Sequence, residues 1–296
     1  MSGTAVLLCG HGSRDPGAIE EFELAAAALR PRLPQFDFTT GYLEFVRPTI
    51  RDGLALLAGR GAQRILAIPG MLFAASHVKN DLPWEMNSFI ADNPGIAVHL
   101  GRDLGIDPKL LQAAADRIAA AAGSRIPLSE TLLVVVGRGT NDPDANSNIS
   151  KLARMLWEGL GLGWAEVAFS GVAHPRVDVA LMRAATLGFR RIIVFPYFLF
   201  TGVLVKRIYA QTDTVAALFP GIEFVKALYL RDHEGVLDAF RDRVFELDHA
   251  QPAMNCQLCK YRTQIVGYEQ DAGMLQTGHH HHVRGIGTGG HHHHHK

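Results

Sequence analysis

Cysteine is scarce in this chain: three in 296 residues, too few for a disulfide framework. Charge of one sign is missing too. Lys and Arg total 29 and Asp and Glu total 29, so no overall field favours nucleic acid or a membrane surface, and neither is expected as a partner. No apolar run approaches the roughly 20 residues that span a bilayer. Met1 leads directly into a strand pattern, without the basic segment and apolar core of a secretory leader, so a cytoplasmic location is expected. The GxxxxGK[ST] phosphate loop is absent, which leaves no visible nucleotide site for an ATP-driven reaction. The composition that remains, 48% hydrophobic and 20% charged, is globular and long enough for two domains.

The chain repeats itself at an offset of 127 residues. Gly10/Gly137, Gly12/Gly139, Asp15/Asp142, Pro16/Pro143, Pro48/Pro175, Gly61/Gly188, Arg64/Arg191, Pro69/Pro196, Phe73/Phe200 and Lys79/Lys206 all match. So many glycines and prolines in register imply two tandem domains. Short β-rich runs at 5–9, 36–45, 64–69 and 96–100 alternate with amphipathic stretches at 17–33, 49–57, 78–91 and 108–122. Runs at 132–136, 166–172, 191–195 and 222–227 repeat the pattern. Alternation of this kind predicts, in each half, a mostly parallel four-stranded sheet covered by helices. The joint falls near 119–127, where an alanine-rich helix runs into Gly123 and Pro127. Expected units are residues 1–124, 125–248 and a Cys/His-rich tail, 249–296, flexible without metal.

The repeat keeps the frame and loses two imidazoles. His11 stands between Gly10 and Gly12 after the first strand, where glycines let the chain turn sharply and a ligand approach. His77 follows the third strand. In a parallel sheet, strand carboxyl ends share one rim, so the two rings are expected together with Glu44, which ends the second strand. Two neutral imidazoles can bind a borderline first-row cation, or one can accept a proton near neutral pH. Glu44 could steer or help coordinate a cation, or be an exposed rim carboxylate. Arg47 could pair with anionic groups or be solvated. Arg138, Leu204, Gly171 and Ile208 occupy the second-half positions of His11, His77, Glu44 and Asp81. That half is therefore expected to be unable to handle metal. Arg138, His174 and Arg176 in it could hold acidic groups of a ligand. Cys9, within an apolar strand, reads as a small core residue.

Gly10-His11-Gly12-Ser13-Arg14, the turn from Glu44 to Pro48, and Pro69 with Ser76-His77-Val78-Lys79-Asn80-Asp81-Leu82-Pro83 resemble the class II tetrapyrrole chelatases. They are most similar to the long-form sirohydrochlorin cobaltochelatases of cobalamin biosynthesis (CbiX type). The resemblance covers both halves and reaches into the tail, so the fold is expected to be two tandem chelatase-like domains. It implies ATP-independent insertion of Co²⁺, the substrate metal, into sirohydrochlorin. His11 and His77 would be metal ligands, with His11 the base that removes pyrrole protons and Glu44 a carboxylate near the metal. Leu72, Phe73, Ala74, Ala75, Ser76 and His77, with Arg47, would contact the tetrapyrrole. Iron insertion for sirohaem is the close alternative. A non-catalytic metal-storage protein or metallochaperone is a further one. A histidine phosphatase is disfavoured, because Gly10 stands where its Arg-His-Gly motif needs arginine. Association of copies of the chain is left open.

The tail carries Met254-Asn255-Cys256-Gln257-Leu258-Cys259. This MxCxxC matches the pattern that long-form members use with an iron–sulfur cluster. One CxxC supplies two of the four thiolates a cluster usually takes, so further ligands would be needed. His279, His280, His281 and His282, then His291, His292, His293, His294 and His295, make nine histidines in the last eighteen residues. A purification tag is one explanation. The two unequal runs, split by residues 283–290, also suit a flexible store for Co²⁺, Ni²⁺ or Zn²⁺.

Overall fold

A computed structural model describes residues 3–249 and 269–274. Each half begins on a strand buried along almost its whole length. β1 (Thr4–Gly10) pairs in parallel with β2 (Asp37–Tyr42) and β3 (Arg64–Pro69), and β3 pairs with β4 (Ala97–Leu100). The order β2-β1-β3-β4 is repeated by β5 (Thr131–Gly137), β6 (Trp164–Phe169), β7 (Arg191–Pro196) and β8 (Glu223–Lys226), ordered β6-β5-β7-β8. All of these pairings are parallel, and both sheets have helices on their faces, as the alternation of elements predicts. Strands covered on both faces read as continuous apolar runs, which is why Val6–Leu8 and Leu132–Val136 were recognisable.

Among the described residues, eight α-helices accompany the strands: α1 (Pro16–Leu29), α2 (Ile50–Gly59), α3 (Leu82–Asp92), α4 (Pro108–Ala122), α5 (Pro143–Leu160), α6 (Val177–Ala184), α7 (Val203–Ala216) and, after the last strand, α8 (Glu234–His249). Asp15, Asp107 and Asp142 cap α1, α4 and α5, each accepting a backbone N–H of the first turn with proline at the next residue. α2 and α3 pack on one face of the first sheet around Leu54, Leu57, Val78 and Phe89. α6 and α7 pack on one face of the second around Leu181, Ile208 and Val215. Between the sheets, α1, α4, α5 and α8 share one core containing Phe22, Ile118, Ile149 and Phe240.

The last helices of the two repeats are exchanged. α8, from the end of the second repeat, packs on β3 and α1 of the first half, and α4 packs on β7 and β8 of the second. Matching arginines fasten them. Arg64, which opens β3, donates to the carbonyls of Leu247 and Asp248 at 3.1 Å each. Arg191, which opens β7, donates to the carbonyls of Ala122 and Ile126, the latter at 2.8 Å. Each guanidinium thus satisfies carbonyls at or just beyond the end of the other repeat's helix, where intrahelical partners run out. Neither repeat unit has a complete core without the other.

Candidate functional site

The chain order reverses at the centre of the first sheet, where β1 has β2 on one side and β3 on the other. In open α/β sheets a crevice forms at that point, beyond the strand carboxyl ends. His11 follows β1 and His77 begins the segment beyond β3. Gly12 has φ +88°, and a Cβ there would lie 1.8 Å from the carbonyl oxygen of Glu44; at Gly139 (φ +83°) it would lie 1.9 Å from that of Gly171. Only glycine fits, and both halves keep it. The opposing turns also match, with Phe45 at φ 65° and Val172 at φ 53°. This strained left-handed residue ends the strand earlier than the run 36–45 suggests.

His77 opens a five-residue π turn, His77–Asp81, in which the backbone N–H of Leu82 donates to the His77 carbonyl before α3 begins. The expected helix over 78–91 is therefore two pieces. The wider turn brings the His77 ring beside Asp81, and π turns recur at functional sites for such reasons. The rings of His11 and His77 meet edge to face, with centroids 4.6 Å apart and an interplanar angle of 86°. His11 Nδ1 contacts the Gly12 carbonyl at 2.9 Å, and His77 Nδ1 contacts Asp81 Oδ2 at 2.6 Å. A carbonyl or carboxylate oxygen only accepts, so Nδ1 is the donor in both contacts, which in the neutral ring leaves the lone pair on Nε2. Asp81 is 1% exposed, and its other oxygen accepts from Asn80 Nδ2 at 2.9 Å. A carboxylate behind an imidazole fixes the ring's tautomer and orientation.

Both halves line one cavity of about 590 Å³. The first contributes His11, Gly12, Arg14, Phe45, Met71, Leu72, Phe73, Ala75 and His77; the second contributes Arg138, Asn146, Tyr197, Phe200 and Leu204, among others. The Phe73 and Tyr197 rings stack on one another at 5.7 Å and 26°, joining the walls that the two halves contribute. The lining is mainly apolar with a few convergent polar groups, as in small-molecule sites generally. Arg138 lines the cavity and keeps part of its surface in solvent. Partial desolvation by the cavity wall lowers its guanidinium from the usual value, against the opposing charge of Glu44. A cation of the second half thus faces a carboxylate of the first.

The cavity does not gather every residue singled out in the sequence. Glu44, Arg47, Ala74 and Ser76 are not among those lining it, nor are His174 and Arg176. Arg47 is largely exposed and paired with Asp52 at 3.6 Å. Glu44 is anchored through its backbone, its N–H donating to the His11 carbonyl at 2.9 Å. Among the described residues no group of three or more His, Cys, Asp or Glu could hold a metal, so Glu44 completes no closed set with the two histidines. Cys256, Cys259 and the nine tail histidines lie outside the described residues.

Among the residues missed in the sequence is a support of the cavity wall. Asp103, 1% exposed, accepts the Ala74 N–H at 3.0 Å and so ties down the loop forming the cavity wall. Burial pushes its carboxyl up to about 7, opposed by the Ala74 N–H and by the charges of Arg102 and Arg243. Its other oxygen is buried without a partner among the described residues. In the second half the matching N–H, of Thr201, donates to Glu21 of α1 at 2.7 Å. An Arg-Asp pair in a loop reads as solvated, and no sequence signal marked it.

The CbiX family model matches residues 5–121 and again 132–247. The chain belongs to the CbiX family. It is 33% identical over 263 residues to a sirohydrochlorin cobaltochelatase of Priestia megaterium, covering 88% of this chain and 86% of that protein. It is 26% identical over 242 residues to a sirohydrochlorin ferrochelatase of Bacillus subtilis strain 168, covering 82% and 91%. The solved structure of SirB from Bacillus subtilis with Fe³⁺ superposes with a TM-score of 0.74 at 27% identity, covering 82% of this chain and 95% of that one. No helix among the described residues is long and apolar enough to cross a membrane.

Proposed function

We propose that this protein inserts a divalent metal, Co²⁺, into sirohydrochlorin without ATP, and that the chemistry is done in the first half. The observation that carries this reading is the His11–His77 pair at the switch point of the first sheet, opening on a largely apolar cavity shared by both halves. The family relationship and relatives named for this reaction support it. Iron is the second reading, favoured by the relatives named as ferrochelatases, and nothing in a pair of imidazoles selects one metal over the other.

The flat macrocycle enters the cavity lined by Leu72, Phe73 and Ala75 of the first half and by Phe200 and Leu204 of the second. The ion, as substrate, meets the two imidazoles. Two ligands hold it loosely enough to leave, unlike a closed four-ligand site. As the ion passes from the imidazoles to the ring nitrogens, the freed His11 Nε2 takes one of the two displaced pyrrole protons and the other leaves to water; a positioned base of this kind contributes roughly 10²–10⁴-fold. Holding ring and ion together adds a proximity gain. Asp81 keeps His77 oriented. Arg138 pairs with an acidic ring substituent, Glu44 draws the cation toward the cavity, and Arg47 at the outer edge meets peripheral carboxylates.

Residues 1–124 and 125–248 are the units of the duplication, with 249–296 as a tail. A cluster at Cys256 and Cys259 remains an inference from the MxCxxC pattern, and no step runs through it. The tail histidines would store metal. The reading is tested by following the absorbance of sirohydrochlorin with Co²⁺ and, separately, Fe²⁺. Rapid metallation is expected with at least one; none above the uncatalysed rate with either contradicts it.

A further inference from the structure

Matched lysines and aspartates cross between the halves. Lys79 Nζ donates to Asp142 at 2.7 Å and to Asp144 at 3.0 Å, and its repeat counterpart Lys206 donates to Asp15 at 2.5 Å. The surroundings differ. The Lys79 and Asp142 side chains are 1% and 0% exposed, whereas Lys206 is 63% exposed. Asp142 also caps α5, accepting the Asp144 and Ala145 N–H groups, so the acceptor is fixed to the second half. Lys79 belongs to the π turn that begins with His77, and its own N–H donates to the Ala75 carbonyl at 2.8 Å. Lys206 sits on α7 beside Leu204, which carries no such chemistry.

We infer that Lys79 is a positioning residue. Its buried bridge to Asp142 and Asp144 fastens the turn carrying His77 to the second half. The half that lost both histidines thereby fixes the place of an imidazole in the half that kept them. An exposed lysine pair is screened and mobile and holds little in place. A desolvated one, with each charge aimed at the other, strongly resists separation. The inference rests on the reading of His77 as a metal-contacting residue.

The test is steady-state metallation of sirohydrochlorin with Co²⁺ by wild type, Lys79→Met and Lys206→Met, with melting temperatures alongside. Lys79→Met is expected to lower kcat/KM for Co²⁺ at least tenfold, with KM for the tetrapyrrole within about twofold. Lys206→Met should leave both within about twofold. Equal effects from the two variants, or no effect of Lys79→Met, overturn the inference. If Lys79→Met does not fold, Asp144→Asn replaces it, with about threefold expected at an unchanged melting temperature; no change overturns the inference. The imidazole NMR signals of His77, assigned through His77→Gln, give a reading independent of turnover. They should move in the Lys79 or Asp144 variant and stay in Lys206→Met. An inactive wild type would remove the chelatase reading alone, and unmoved His77 signals would remove this one.

Discussion

The two halves of this chain form a controlled comparison within one molecule. They share strand order, the glycine that only glycine can fill, the strained turn opposite it, and arginines that hold an exchanged helix. They differ where the first carries His11, His77 and Asp81, and the second carries Arg138, Leu204 and Ile208. The frame therefore folds without the imidazoles. What the second half retains is support: one wall of the cavity, a cation at its mouth, and a buried bridge to the turn that carries His77.

The largest expected break in this comparison comes from the histidines. His11→Ala and His77→Ala should each lower kcat for metallation by on the order of 10²–10⁴-fold, with folding intact by circular dichroism. Leu204→Ala, at the matching place in the second half, should change kcat by less than about threefold. Next is Asp103, which replaces a cross-half anchor by one within its own half. Its carboxyl stays protonated to about 7 in the folded protein, while the unfolded chain ionises near the ordinary carboxyl value. The unfolded state thus binds fewer protons between roughly pH 4 and 7, so stability falls as pH rises through that window and levels off above it. The loss is on the order of a few kcal/mol. Asp103→Asn should flatten that part of a urea-denaturation pH profile, whereas Glu21→Gln should leave it in place.

These contrasts also mark what could be read from residues alone. Both sheets and the meeting of His11 with His77 were legible, because doubly covered parallel strands write continuous apolar runs and their carboxyl ends must share a rim. The helix exchange was not legible. Periodicity gives α4 and α8 an apolar face but says nothing about which sheet that face covers. The π turn escaped for a related reason: one extra residue in a turn barely disturbs a 3.6-residue pattern over fourteen positions. Lys79/Lys206 and Asp15/Asp142 were visible as matches, yet their pairing across the halves is a property of the assembled chain. That Arg47 stands at the outer edge, beyond the cavity lining and paired with Asp52, is likewise visible only in the folded chain.

Smaller effects sharpen the comparison further. Asp81→Asn keeps a partner for Asn80 but weakens the one behind His77, and should cost about 10–100-fold in kcat/KM for Co²⁺. Arg138→Ala should raise KM for the tetrapyrrole about tenfold, the worth of one charge-assisted contact, with kcat little changed. An unaltered KM would leave the second half only a structural wall. Deleting residues 278–296 should reduce the rate a few-fold at scarce Co²⁺ and hardly at saturating Co²⁺. Equal loss at both would end the storage role.

The most direct measurement gives the first half the residues the second already has. The double variant His11→Arg, His77→Leu is assayed with sirohydrochlorin and Co²⁺ beside wild type, with circular dichroism as the check on folding. The account predicts a native spectrum and a rate no higher than the uncatalysed reaction. A folded double variant that metallates at more than about a tenth of the wild-type rate would contradict it.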